Sequence, residues 1–125
     1  MYAITVEETF SSGHALRGYR GKCENPHGHN YRVRVRLEGP RLNPIGLLYD
    51  FKDLKSFLRR ETEAWDHQYL NDLEAFREQN PSAENMARHL FEKLQMALQG
   101  NTEGVEVESV TVFETDTTSA VYSGR

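Results

Sequence analysis

Within the run Cys23-Glu24-Asn25-Pro26-His27-Gly28-His29-Asn30-Tyr31, a thiol, a carboxyl and two imidazoles fall inside seven consecutive residues. The run leads into Tyr31-Arg32-Val33-Arg34-Val35-Arg36-Leu37, whose apolar/polar alternation predicts a strand. Side chains at i and i+2 of a strand share a face, so His27 and His29 can converge on one point. Gly28 between them leaves the opposite face uncrowded. Converging imidazoles suit Zn2+, but two ligands do not hold a metal, and a third must come from elsewhere. His14, closing the segment Phe10-Ser11-Ser12-Gly13-His14, is the candidate. Three histidines without a carboxylate leave a fourth position open, as catalytic zinc requires. Alternatively Cys23 closes the tetrahedron and the metal only staples the loop. The chain has five histidines; His67 follows Asp66, and His89 reads as a surface or helix-packing residue without a role.

The elements that must position these groups follow from periodicity. Tyr2, Ile4 and Val6 alternate with Ala3 and Thr5, predicting a first strand that runs toward His14. Gly18, Gly21 and Pro26 mark a loop before the second strand, which ends near Glu38-Gly39-Pro40. Asp50 offers an N-cap to a helix carrying Phe51, Leu54, Phe57, Leu58 and Glu61. Trp65 to Asp72 reads as a broken stretch, with a short turn near Leu73–Phe76. Asn80-Pro81-Ser82-Ala83-Glu84-Asn85 starts a second helix, with Met86, Leu90, Leu94 and Ala97 at helical period. Strands are predicted at Val105–Glu114 and Ser119–Tyr122, joined by a turn at Asp116-Thr117. The order strand-strand-helix-helix-strand-strand predicts an α+β domain, 1–125: an antiparallel sheet with two helices on one face. Arg32, Arg34 and Arg36 point together from the other face, with Glu106 and Glu108 expected as cross-strand partners.

Composition narrows the function. At 125 residues the chain suits one modest core, and a net charge of -4 argues against general nucleic-acid or anionic-membrane binding. An RNA-binding sheet built on the three arginines ranks last for that reason. No apolar run approaches the ~20 residues of a membrane span. The first residues lack a secretory pattern, and the lone cysteine suits a reducing cytoplasm.

The segments Phe10–His14, Cys23-x-x-x-His27-Gly28-His29-Asn30-Tyr31, Asp66-His67-x-x-Leu70-Asn71, Pro81–Asn85 and Val112-Phe113-Glu114-Thr115 together resemble the 6-pyruvoyltetrahydropterin synthase superfamily. The Cys-x3-His-Gly-His spacing is most similar to the bacterial 6-carboxy-tetrahydropterin synthases, the QueD type. The resemblance implies the tunnelling fold, an oligomeric barrel assembled as a homohexamer of two trimers, one zinc per subunit and 7,8-dihydroneopterin triphosphate as substrate. It implies His14, His27 and His29 as zinc ligands, Cys23 as a base acting as its thiolate, and Asp66 and His67 as an acid/base pair at a subunit interface. Glu114 would anchor the pterin through two hydrogen bonds, and Ser82 would contact substrate. Glu24, in Glu24-Asn25-Pro26-His27-Gly28-His29, resembles a second base used by relatives that release 6-hydroxymethyl-dihydropterin for folate synthesis. The chemistry implied is a lyase reaction giving 6-carboxy-5,6,7,8-tetrahydropterin, on the route to queuosine and other 7-deazaguanines. Its alternatives are the pyruvoyl product, dual activity, or a non-catalytic zinc-stapled binding module. Taken alone, Asp66-His67 also fits a helix-terminal histidine beside a surface aspartate, Glu114 a solvated strand end, and Ser82 a plain N-cap.

Overall fold

Alternation in the first forty residues builds two long paired strands, β1 (Tyr2–His14) and β2 (His27–Gly39), in a computed structural model that describes residues 1–124. β3 (Glu106–Thr115) and β4 (Thr118–Tyr122) complete a four-stranded sheet of order β1-β2-β3-β4, every neighbour antiparallel. Between the two strand pairs lie α1 (Phe51–Trp65) and α2 (Ala83–Ala97), giving the predicted β-β-α-α-β-β order. α1 lies against β1, and α2 against β3 and β4. Among the described residues no helix is long and apolar enough to cross a membrane.

Pairing register decides what shares a face. Phe10 lies opposite Tyr31, Val6 opposite Val35 and Val35 opposite Val110, and all of these are buried beneath the helices. The same register sets His14 opposite His27 and Ser12 opposite His29. The histidines therefore extend the core face rather than the outer one. Phe10 stacks on Tyr31 at 4.9 Å with 11° between rings, and Trp65 meets Phe10 edge-on at 5.8 Å. Each such fully buried apolar side chain contributes about 1.5–3 kcal/mol.

Caps fix the helices where composition places them. The Asp50 carboxylate accepts from the Lys52 N–H at 2.7 Å, and the Ser82 hydroxyl accepts from the Asn85 N–H at 3.1 Å. Leu54, Leu58, Thr62 and Trp65 form the inner stripe of α1, whereas Phe51 is 56% exposed because it precedes the turn that reaches the sheet. In α2 the stripe runs through Met86, Leu90 and Leu94 to Leu98; Ala97, expected to continue it, is exposed.

The outer face corrects the expected arginine pairing. Arg32 and Arg34 both reach Glu7 of β1, at 3.2 and 2.7 Å, while Arg36 reaches Glu108 at 3.6 Å. Glu106 lies opposite Glu38, not opposite an arginine. The register is the cause: Arg32, Arg34 and Arg36 face Phe113, Thr111 and Ser109, and even after a one-residue shift beyond Arg36 Glu106 reaches only Glu38. Arg32 also sits over the Phe113 ring, 3.8 Å from its centre. The Arg34 hydrogen bond holds the Glu7 carboxyl below the usual range.

Candidate metal centre

Three imidazoles meet where β1 ends and β2 begins. One ring nitrogen from each of His14, His27 and His29 lies within 4.8 Å of the others, and among the described residues these are the only such group. The ring orientations are set from behind. His14 Nδ1–H donates to the Pro81 carbonyl at 2.7 Å and faces the Tyr31 hydroxyl at 3.1 Å. His27 Nδ1–H donates to the Asn25 carbonyl at 2.8 Å. With both Nδ1 atoms protonated in this way, the Nε2 atoms carry lone pairs, and those of His14 and His27 face each other at 3.0 Å. Two lone pairs at that distance repel unless a cation stands between them. His29 Nε2 is buried without a hydrogen-bond partner, as is Ser12 Oγ on the same face. These features fit a metal that would take all three Nε2 atoms, with carbonyls fixing the tautomers behind it.

Burial adds to the fit. Desolvation holds the His14 and His29 pKa values below the ordinary imidazole value, which keeps the rings neutral as ligands must be. His14 is fully buried. Burial pushes the Tyr31 hydroxyl up, so it stays protonated behind His14.

Glu114 arrives from β3, and its Oε1 lies 3.3 Å from His14 Nε2 and 3.9 Å from His29 Nε2. The carboxylate absent from the expected ligand set is therefore beside it. Ser82 caps α2, and the neighbouring Ala83 and Glu84 share a small cleft with Glu114, Thr118, Ser119 and Ala120. Cys23 sits half-buried in a short turn (Lys22–Glu24) and lies outside the histidine cluster; its carbonyl accepts from the Leu16 N–H at 2.8 Å. Glu24, next to it, is exposed.

Asp66 and His67 stand elsewhere, on the free edge of β1. Asp66 Oδ1 accepts from the Ser11 N–H at 2.9 Å, and His67 N–H donates to the Ser11 carbonyl at 2.6 Å. The Ser11 bond is also the main reason the Asp66 carboxyl is held below its usual range. The two side chains do face each other, Asp66 Oδ2 to His67 Nδ1 at 3.0 Å. They can do so because α1 ends at Trp65 and His67 turns into the left-handed region, φ 57, the only non-glycine described residue there. The His67 side chain is 81% exposed and lines a cleft with residues 11–13, 28–30 and Gln68. Among the described residues no hydrogen bond or ion pair joins this pair to the three histidines.

A sequence profile of the family described as 6-pyruvoyl tetrahydropterin synthase matches residues 3–125. The chain belongs to that family. A 6-carboxy-5,6,7,8-tetrahydropterin synthase of Synechocystis sp. is 36% identical over 128 positions, covering 98% of this chain and 93% of that protein. The human 6-pyruvoyl tetrahydrobiopterin synthase is 35% identical over 109 positions, covering 84% and 72%. The solved 6-pyruvoyl tetrahydropterin synthase of Caenorhabditis elegans superposes with a TM-score of 0.82 at 32% identity, covering 100% of this chain and 98% of that one. Family membership makes the protein a lyase-type enzyme of the tetrahydropterin synthases.

Several residues around the histidines escaped the sequence reading. Tyr31, Pro81 and Asn25 orient imidazoles, yet two of them act through backbone carbonyls, which carry no residue signature. Asn71 brackets Ala15 with two hydrogen bonds of 2.9 Å, and Asn80 brackets Arg17 at 2.8 and 2.9 Å, fixing the chain that leaves His14. Asn71 belongs to the motif beginning at Asp66, which is the one signal that could have found it. His89 packs against Trp65 and Phe76 at 5.4 and 6.2 Å, as a helix-packing residue should.

Proposed function

We propose that this enzyme converts 7,8-dihydroneopterin triphosphate and water into 6-carboxy-5,6,7,8-tetrahydropterin, acetaldehyde and triphosphate, in the cytoplasm and on the route to 7-deazaguanines. The convergence of one ring nitrogen from each of three histidines on one point carries the reading. Bound there, Zn2+ would supply Lewis acidity toward the hydroxyls of the substrate side chain. Glu114, at the edge of the cleft it shares with the start of α2, would accept from the pterin 2-amino group and ring N–H. Ser82 keeps a hydroxyl proton to donate while its oxygen caps the helix.

Cys23 would take the side-chain proton, because the turn holding it leads directly into His27 and His29. Its place outside the histidine cluster supports this over the staple reading, in which sulfur must join the ligands. Asp66 and His67 would move the second proton. In one protomer no hydrogen bond or ion pair joins them to the histidines and the His67 ring is exposed, which supports a site completed by a neighbouring copy, in the hexamer of two trimers implied by the resemblance. The Cys-x3-His-Gly-His spacing and the Synechocystis relative support the carboxy product. Incubation with dihydroneopterin triphosphate followed by mass spectrometry tests the assignment. Carboxy-tetrahydropterin with acetaldehyde is expected; a pyruvoyl or hydroxymethyl pterin as sole product overturns it.

A further inference from the structure

The position of Glu114 bears on the metal as much as on the pterin. A tetrahedron with metal–ligand bonds of about 2.0–2.1 Å has edges of about 3.3 Å. Glu114 Oε1 stands 3.3 Å from His14 Nε2 and 3.9 Å from His29 Nε2, and His14 Nε2 is 3.0 Å from His27 Nε2. The carboxylate oxygen thus stands at ligand-to-ligand spacing from His14 and close to it from His29, beside a group of mutually close donors that is the three histidines. Chemistry agrees with spacing. His14 Nδ1–H is committed to Pro81, so its Nε2 offers a lone pair, and a carboxylate oxygen approaching a lone pair needs a cation to share.

Backbone geometry aims the carboxylate. The pairing of β3 with β4 slips by one residue between Phe113 and Thr115, placing Glu114 at the irregularity. Such bulges redirect a side chain next to a functional site. Phe113 before it is held on the outer face under the Arg32 guanidinium.

We infer that Glu114 is a fourth, exchangeable metal ligand in the substrate-free enzyme, an inference that rests on the histidine cluster being a metal site. The same carboxylate borders the cleft formed by Ala83, Glu84 and residues 118–120, so it can turn from the metal to an arriving pterin. One carboxylate then serves both tasks in sequence. With a metal bound, Glu114 leaving for the pterin would free a position for the substrate hydroxyls.

Cobalt makes the exchange visible. Metal-free wild type, Glu114→Gln and Glu114→Ala are titrated with Zn2+ against a chromophoric chelator, and with Co2+ while the visible bands are recorded. Gln keeps the volume, so one variant stays folded if Ala does not. Expected are a loss of zinc affinity of about tenfold or more in both variants and altered Co2+ band positions and intensities. Addition of 7,8-dihydropterin, which has the ring but no hydroxylated side chain, should move the wild-type Co2+ spectrum toward that of Glu114→Ala. It should leave the Glu114→Ala spectrum where it was. Superimposable Co2+ spectra of wild type and variants overturn the ligand role, even if affinity falls, since a nearby charge alone would do that. A wild-type spectrum that dihydropterin does not move overturns the exchange. Wild type that binds neither metal removes the histidine site itself, and this inference with it.

Discussion

His14 Nδ1–H faces two oxygens, the Pro81 carbonyl at 2.7 Å and the Tyr31 hydroxyl at 3.1 Å, and these differ in what mutation can remove. Tyr31→Phe deletes the hydroxyl and leaves the ring stacked on Phe10. Partners behind a ligand are typically worth 10–100-fold in metal affinity, and with Pro81 still in place about tenfold is expected here. Chelator competition measures it; an unchanged affinity would show that Pro81 alone fixes the ring. Cys23 makes the opposite prediction, because it stands outside the cluster. Cys23→Ala should abolish the carboxy product with metal content unchanged, read by mass spectrometry and metal analysis on one sample. Loss of metal together with product would restore the staple. Glu24 is exposed, so Glu24→Ala alone should leave the product distribution as it was.

At the scale of elements, α2 joins stability to the site through its first turn. Ser82→Ala removes an N-cap, a loss of about 1 kcal/mol, and loosens the chain at Pro81, whose carbonyl holds His14. Urea unfolding checks the first effect and zinc competition the second; a variant with full stability would deny the cap its role. Further along α2, burial against Trp65 and Phe76 is the main cause holding the His89 pKa below its ordinary value, helped by Lys93 and opposed by Glu61 and Glu92. The unfolded chain then binds the proton more readily. This contribution is intact above about pH 6.5 and is lost as pH falls below it toward the folded value. With metal saturating, so that His14 and His29 add no titration of their own, His89→Leu should flatten the fall in Tm on the acid side. An acid limb unchanged by the substitution would count against it.

Elements are also where the sequence was most legible, for physical reasons. The alternation of β2 and the caps Asp50 and Ser82 are local, and the structure keeps them. Glu7 as the partner of Arg32 and Arg34 was not legible, because pairing of β1 with β2 is a long-range choice. The two irregularities of β3 were hidden as well, since one extra residue leaves a valine-rich run looking like any strand. The histidines stood out by spacing, but the approach of Glu114 depends on the pairing of β3 with β2, a long-range choice. Asp66-His67 could not be judged from adjacency, because neighbours in a helix point apart. What unites them is the helix end at Trp65 and the left-handed turn at His67.

Considered whole, one protomer carries the proposed site residues in two groups. The histidines and Glu114 gather around the start of β2, with Cys23 in the turn that precedes it, while Asp66 and His67 are pinned to the free edge of β1 with the imidazole exposed. A φ of 57 at a non-glycine residue costs on the order of 1 kcal/mol, and three hydrogen bonds to Ser11 and Gly13 maintain it. An exposed imidazole held this firmly has a purpose if it serves the site of another copy. Cys23→Ala and His67→Ala should each be inactive alone, yet mixing them under conditions that dissociate and reform the assembly should recover activity. If each site takes Cys23 from one subunit and His67 from a neighbour, random association leaves about a quarter of the sites with both groups intact. Sedimentation should show species well above the 14.4 kDa protomer. Two inactive variants that stay inactive after verified subunit exchange would place both groups in one protomer's site. So would a monomer with full turnover.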